Sequence, residues 1–228
     1  MCEEIPLSGG RVTQGVVRKG ETVLRPCCAN SPFTHEVLLW LEQKGLAAAP
    51  RFLGLSEDGR EITSFLEGTS PGDLGDFQEE ALCSAGILIR ALHDALSDFP
   101  GCRDGQTVCH NDLSPCNFMF RDGLPYAVFD WDAAIIGNPL DDLAYALWMW
   151  CDIGNHEKTP DAIGAQIKVL LDAYGLPAGD RGSLSARIHG QMQRVAASCD
   201  SAERMECRQW AMHCDRWLAE HQNQIDLG

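Results

Sequence analysis

The sequence predicts an α+β chain in two unequal parts: a small antiparallel sheet with one helix over residues 1–68, and a mainly helical part over residues 69–228. Three observations carry this. Short β-rich runs separated by tight turns fill the first 65 or so residues. A turn-rich stretch, "EGTSPGDLGD" at 67–76, interrupts the pattern. From Pro139 onward the apolar residues recur at helical spacing almost without break.

In chain order, "SGG" at 8–10 precedes "RVTQGVV" and "ETVLR", which flank the turn "RKG" and read as paired strands. "SPFTHEVLLWLEQKG" reads as a helix. Ser31 is the expected cap, Pro32 fits the first turn and Gly45 fits the stop. Val37, Leu38, Leu39 and Leu41 form its apolar stripe. "RFLGL" and "EITSFL" make a hairpin around "SEDGR". Beyond the boundary, a helix from about Asp76 to Asp98 is marked by Phe77, Ala81, Leu82, Ala85, Leu88, Leu92, Ala95 and Leu96, with Pro100 just past its end. "TVC", "NFMF" and "YAVFD" are short strands, the last two joined by the turn "RDG". Helices are then expected over about 139–151, 160–174 with Gly175 as the stop, 183–199 and 201–224.

Apolar residues make up 45% of the 228, enough to build a core and too many for a disordered chain. No apolar run reaches the ~18 residues that span a bilayer. "MCEEIPLSGG" has neither the basic nor the apolar region of a secretory signal, so the expected location is cytoplasmic, with no membrane partner. Eleven cysteines, an odd number without a C-x-x-C pair, fit reduced, mostly buried thiols; Cys83, Cys109 and Cys151 lie inside apolar patterns. A net charge of −15 argues against nucleic acid as a partner. The charge is uneven. Residues 1–68 carry 7 Lys/Arg against 9 Asp/Glu, whereas residues 69–228 carry 11 against 24. That excess serves solubility or attracts a cationic ligand; the sequence leaves both open.

The chemistry concentrates in "HNDLSPCN" at 110–117 and "FDWDAA" at 129–134. Asp112 can accept a proton from a hydroxyl. Asn117 offers a neutral oxygen and Asp130 a charged one, a donor mix that suits a hard cation such as Mg²⁺. Antiparallel pairing of "NFMF" with "YAVFD" would bring Asn117 and Asp130 to one end of a hairpin. Such a set suits phosphoryl transfer, in which a base orients a hydroxyl and metal ions neutralise the phosphoryl charge.

"VCHNDLSPCNFMF" followed by "VFDWDAAIIGNPLDDLA" resembles the catalytic segment of the aminoglycoside phosphotransferase and choline kinase family. The resemblance implies a protein-kinase-like bilobal fold, with a nucleotide-binding lobe over 1–68 and a catalytic lobe over 69–228. It implies ATP and Mg²⁺ as cofactors and a small-molecule acceptor, such as an aminoglycoside or amino-alcohol. By position, Asp112 would be the catalytic base, Asn117 and Asp130 the metal ligands, and His110 and Asp142 structural supports, Asp142 by capping its helix and tying down the loop. Asp132 would reach substrate or a second metal. Arg25 would replace the phosphate-contacting lysine of the third strand, with Glu36 as its helical carboxylate partner and His35 as the alternative. Phe65 and Leu66, in "SFLEG", would meet the adenine. "SGGRVTQG" would turn over the phosphates, though it lacks a clean G-x-G-x-x-G. Asn111 and Cys116 stand where the family often has Gly, and Asn138 where it has Asp. Two other functions compete: a metal-dependent phosphoester hydrolase built on His110, Asp112, Asp130 and Asp132, and a catalytically silent nucleotide-binding module.

Overall fold

The computed structural model describes residues 3–7, 15–72, 74, 76–199 and 204–225. The segment expected to turn over the phosphates lies, apart from Gly15, outside the described residues. The elements run β1 (Ile5–Pro6), β2 (Val17–Lys19), β3 (Thr22–Arg25), α1 (Ser31–Gln43), β4 (Phe52–Leu55), β5 (Glu61–Ser64), α2 (Glu79–Leu96), β6 (Thr107–Cys109), β7 (Phe118–Arg121), β8 (Leu124–Val128), β9 (Ile135–Gly137), α3 (Pro139–Trp150), α4 (Pro160–Tyr174), α5 (Leu184–Ser198) and α6 (Met205–His221). Strands β1 to β5 form one antiparallel sheet in the order β1-β2-β3-β5-β4. The expected mixture of a small N-terminal sheet and a helical C-terminal region is the observed one.

Three details differ from expectation. Ser31 is not the cap of α1. Asn30 occupies that position, and the Ser31 hydroxyl accepts instead from the Cys28 N–H at 2.9 Å. Asn30 turns its own amide outward and donates to the carbonyls of Asp132 and Ala134, at 2.9 and 3.0 Å. The second difference is β9. It is a strand at Ile135–Gly137 where none was expected, and it pairs with β6, so "TVC" is half of a two-stranded ribbon. Third, α2 begins at Glu79, three residues later than Asp76.

The core explains why the motif loop is held firmly. Trp148 and Trp150 of α3 are fully buried. The ring of Trp150 meets Phe77, Phe118 and Phe120, and its indole N–H donates to the Leu113 carbonyl at 3.1 Å. A large aromatic thus fills the space under the loop and also satisfies one of its buried carbonyls. Gly86 of α2 lies against α4. A Cβ there would sit 2.6 Å from the Leu170 carbonyl oxygen, so only glycine permits that helix pair to approach so closely. The ten described cysteines are all free. Burial pushes the thiols of Cys151 and Cys214 up to about 12 and about 11, which marks both as packed groups rather than nucleophiles. No described helix is long and apolar enough to cross a membrane.

Candidate active site

The loop between β6 and β7 owes its shape to Asp142, in the first turn of α3. Its Oδ2 accepts from the His110 N–H at 2.8 Å and its Oδ1 from the Asn111 N–H at 2.7 Å. The ring of His93 in α2 contacts Oδ2 at 3.1 Å, and the other nitrogen of that ring contacts the Tyr174 hydroxyl at 2.9 Å. Asp142, His110, His93 and Tyr174 are all buried, and Asn111 is half-buried. Asp142 therefore ties down the loop but does not cap its helix. Asn138 caps α3 instead, its side chain accepting from the Leu140 N–H at 2.9 Å. That is why Asn serves where the resemblance expected Asp, since either side chain can accept at an N-cap.

Asn111 has a φ of +66°. Asn tolerates this left-handed conformation better than most side chains, which accounts for its standing where the family often has Gly. Asp112 follows and is half-buried. Its Oδ1 accepts from the Tyr145 hydroxyl at 2.8 Å. Burial first, and then the Asp112 charge, push that phenol well above the ordinary tyrosine range, so it remains a donor at any working pH. Tyr145 escaped the sequence analysis, although "DDLAYALW" places it one helical turn from Asp141. Removing only its hydroxyl, by Tyr145→Phe, is expected to lower turnover by about three- to tenfold. Mg-ATP affinity should be unchanged, and steady-state kinetics beside a calorimetric titration checks both.

Asn117 and Asp130 lie at the same end of the β7–β8 hairpin. Phe118 pairs with Val128, and the Phe129 N–H donates to the Asn117 carbonyl at 2.9 Å. The Asn117 amide nitrogen donates to the Asp112 carbonyl at 2.9 Å, which leaves Oδ1 as the atom available to a cation. His110 Nε2 lies 2.9 Å from the Phe129 carbonyl. A carbonyl can only accept, so this nitrogen carries the proton. The ring also packs edge-on against Trp131. His110 therefore braces the segment that carries Asp130. Asp130 itself has a φ of +63° in the left-handed region, which turns the chain sharply into the 3₁₀ turn Trp131–Ala133.

Arg25, at the end of β3, reaches across to this turn. One terminal nitrogen lies 3.1 Å from Asp130 Oδ1 and the other contacts the Asp132 carboxylate. Its Nε lies 2.5 Å from Glu61 Oε1. Burial disfavours the guanidinium's charge, but Asp132, Glu61 and Asp130 outweigh it, so its pKa is raised above the ordinary arginine value. The expected pairing with Glu36 is not formed. The buried stripe of α1 runs through Ser31, Thr34, Val37, Leu38 and Leu41, and Glu36 falls on the other face, exposed. The carboxylate beside Arg25 comes from β5 instead.

Phe65 and Leu66, the residues expected at the adenine, directly follow β5. Phe65 lies under the Arg18 guanidinium, 3.7 Å from the ring centre. Its N–H donates to the Glu21 carbonyl at 2.9 Å and is thereby committed to the sheet. Leu66 is half-buried.

Residues 99–186 match the model of the phosphotransferase enzyme family. The chain has the protein-kinase-like fold of such phosphotransferases. Among solved structures, the amicoumacin kinase hAmiN, in complex with AMP-PNP, Ca²⁺ and Ami, superposes with a TM-score of 0.68 at 10% identity, covering 88% of this chain and 84% of that one. A microcompartment-associated aminopropanol kinase gives a TM-score of 0.68 at 14% identity, covering 100% and 95%. By sequence, the chain is 29% identical over 260 residues to the trifolitoxin immunity protein of Rhizobium leguminosarum bv. trifolii, covering 99% of this chain and 98% of that protein. The phosphotransferase match covers every motif residue from His110 to Asp142, whereas Arg25 and Glu61 lie outside it.

Proposed function

We propose that the chain is a cytoplasmic small-molecule kinase that moves the γ-phosphoryl group of ATP to a hydroxyl. The nucleotide would lie between a lobe over residues 1–68 and a lobe over residues 69–228. The observation that carries this reading is the convergence of Asp112, Asn117 and Asp130 on one hairpin end, with the Arg25 guanidinium against Asp130. Asp112, with Tyr145 holding one of its oxygens, would orient the acceptor hydroxyl and take its proton. Arg25 would bind phosphate oxygens. Phe65 and Leu66 would border the adenine.

The residues present fit a magnesium ion. Asn117 Oδ1 and the Asp130 carboxylate are hard oxygen donors, with Asp132 beside them. The Arg25 cation against Asp130 and Asp132 supports a pocket built for positive charge. Bound there, magnesium would neutralise charge on the phosphates. The free state of the cysteines supports a reducing compartment.

The relatives support a class of acceptor. One relative is named a trifolitoxin immunity protein, and one structural neighbour is an amicoumacin kinase. A protective phosphorylation of a toxic molecule is therefore the leading form. The aminopropanol kinase, and the acid excess over residues 69–228, support an amine-bearing acceptor.

The test is a panel of aminoglycosides, amicoumacin, trifolitoxin and amino-alcohols with Mg-ATP, read as acceptor-dependent ADP release. At least one acceptor class is expected to raise release about tenfold or more over the acceptor-free rate. Nucleotide-dependent stabilisation without transfer to any of them would favour a second reading, a silent nucleotide-binding module. The Arg25 side chain against both aspartates motivates that alternative, since a tethered cation can stand where a metal would.

A further inference from the structure

Glu61 is one of the most deeply buried charged side chains, 4% exposed, and nothing in the phosphoryl-transfer chemistry calls for it. It is the cross-strand partner of Arg25 in the β3–β5 register. Directly opposed residues in an antiparallel pair hold their Cβ atoms about 5 Å apart, so the pairing follows from strand register and needs no helix movement. Glu61 Oε1 lies 2.5 Å from Arg25 Nε. The Nε–H is not aimed at that oxygen, so the contact is an ion pair without a formed hydrogen bond. Glu61 Oε2 lies 2.7 Å from His35 Nε2. The His35 ring is stacked on Phe52 at 3.8 Å between centroids, interplanar angle 13°. Three elements thus converge on one buried carboxylate: β3 through Arg25, β5 through Glu61, and α1 through His35.

The consequence is directional. A guanidinium has one Nε edge and two terminal nitrogens. With Glu61 at the Nε edge, both terminal nitrogens are turned toward Asp130 and Asp132. We infer that Glu61, braced by His35, is the positioning residue that aims the Arg25 fork into the triphosphate site. The helical carboxylate that usually performs this task is replaced by a strand carboxylate, with α1 contributing only the histidine that holds it. Glu61 also competes with Asp130 and Asp132 for the same cation. This inference rests on the nucleotide-binding reading above.

The experiment compares Mg-ATP and adenosine binding, by calorimetry, in the wild type, Glu61→Gln, Arg25→Ala and the double variant. Glutamine keeps the size of the side chain and a contact to His35 but loses the charge that holds Arg25. Glu61→Gln is expected to weaken Mg-ATP binding about tenfold or more and to leave adenosine, which has no phosphate for Arg25 to meet, within about twofold. In the Arg25→Ala background the same change should add little, because the group it positions is gone. A merely structural Glu61 would weaken adenosine as much as Mg-ATP, or act equally in both backgrounds, and either outcome overturns the inference. If the wild type binds Mg-ATP and Glu61→Gln binds it equally well, this inference alone fails. If the wild type binds no Mg-ATP, the nucleotide-binding reading fails and takes the inference with it. Should Glu61→Gln not fold, His35→Gln puts the same question from the bracing side, with a smaller expected loss in the same direction.

Discussion

Asp112→Asn is expected to cut phosphoryl transfer by roughly a hundredfold to ten-thousandfold, the usual contribution of a positioned general base. An amide oxygen can still accept the Tyr145 hydroxyl, so the loop should keep its shape. What it loses is the negative charge that draws the acceptor's proton. Mg-ATP binding should survive nearly intact, because Asn117 depends on the backbone carbonyl of residue 112 and not on its side chain. Single-turnover measurements at saturating acceptor, beside a nucleotide titration, separate the two effects. A variant that lost nucleotide affinity in step with rate would assign Asp112 to binding instead.

Asp142→Ala is expected to be the most damaging single change to stability, about 3–5 kcal/mol. Its two oxygens accept from the His110 and Asn111 N–H groups, and one of them also meets the His93 ring. Alanine would leave the buried His110 N–H, the half-buried Asn111 N–H and one nitrogen of the buried His93 ring without their partner, at a site where the Asp142 side chain is 0% exposed. For a chain of this length the melting temperature should fall by about 10 °C or more. The damage should also exceed what the folded fraction explains, because residues 110–112 would lose the anchor that sets them. Thermal denaturation, with activity measured well below the transition, tests both halves. A melting point within a degree or two of the wild type would show that the loop is held by other contacts, of which the Trp150–Leu113 hydrogen bond is the first candidate.

The parts of the fold legible in the sequence were those governed by local rules. Apolar spacing marked α2 through α6, glycine marked turns, and the strand–turn–strand of β7 and β8 followed from "RDG" between two β-rich runs. Placing Asn117 and Asp130 at one hairpin end needed only the antiparallel register across a two-residue turn. The pairings that escaped are the ones that depend on register between strands distant in sequence. Arg25 faces Glu61 because β5 inserts between β3 and β4, and no residue near either position announces that order. Glu36 looked plausible as a partner because it lies in the right helix, but one residue along a helix is about 100° around it, and the apolar stripe decides which face turns inward. β9 was missed for a similar reason. "IIG" is too short to stand out, and it becomes a strand only because β6 lies beside it. Tyr145 could have been found by asking which side chains one turn beyond Asp141 and Asp142 face the loop, since residues spaced by three or four share a helix face.

The central claim is that an acid, an amide and a second acid on one hairpin and its preceding loop hold a magnesium-bound triphosphate. Calorimetric titration of the wild-type protein with ATP, in the presence and absence of magnesium, beside the same titration of Asp130→Ala, tests it most directly. The account predicts binding that strengthens at least about tenfold with magnesium in the wild type and loses that gain in the variant. Affinity indifferent to magnesium, or a gain that persists undiminished in Asp130→Ala, would contradict it.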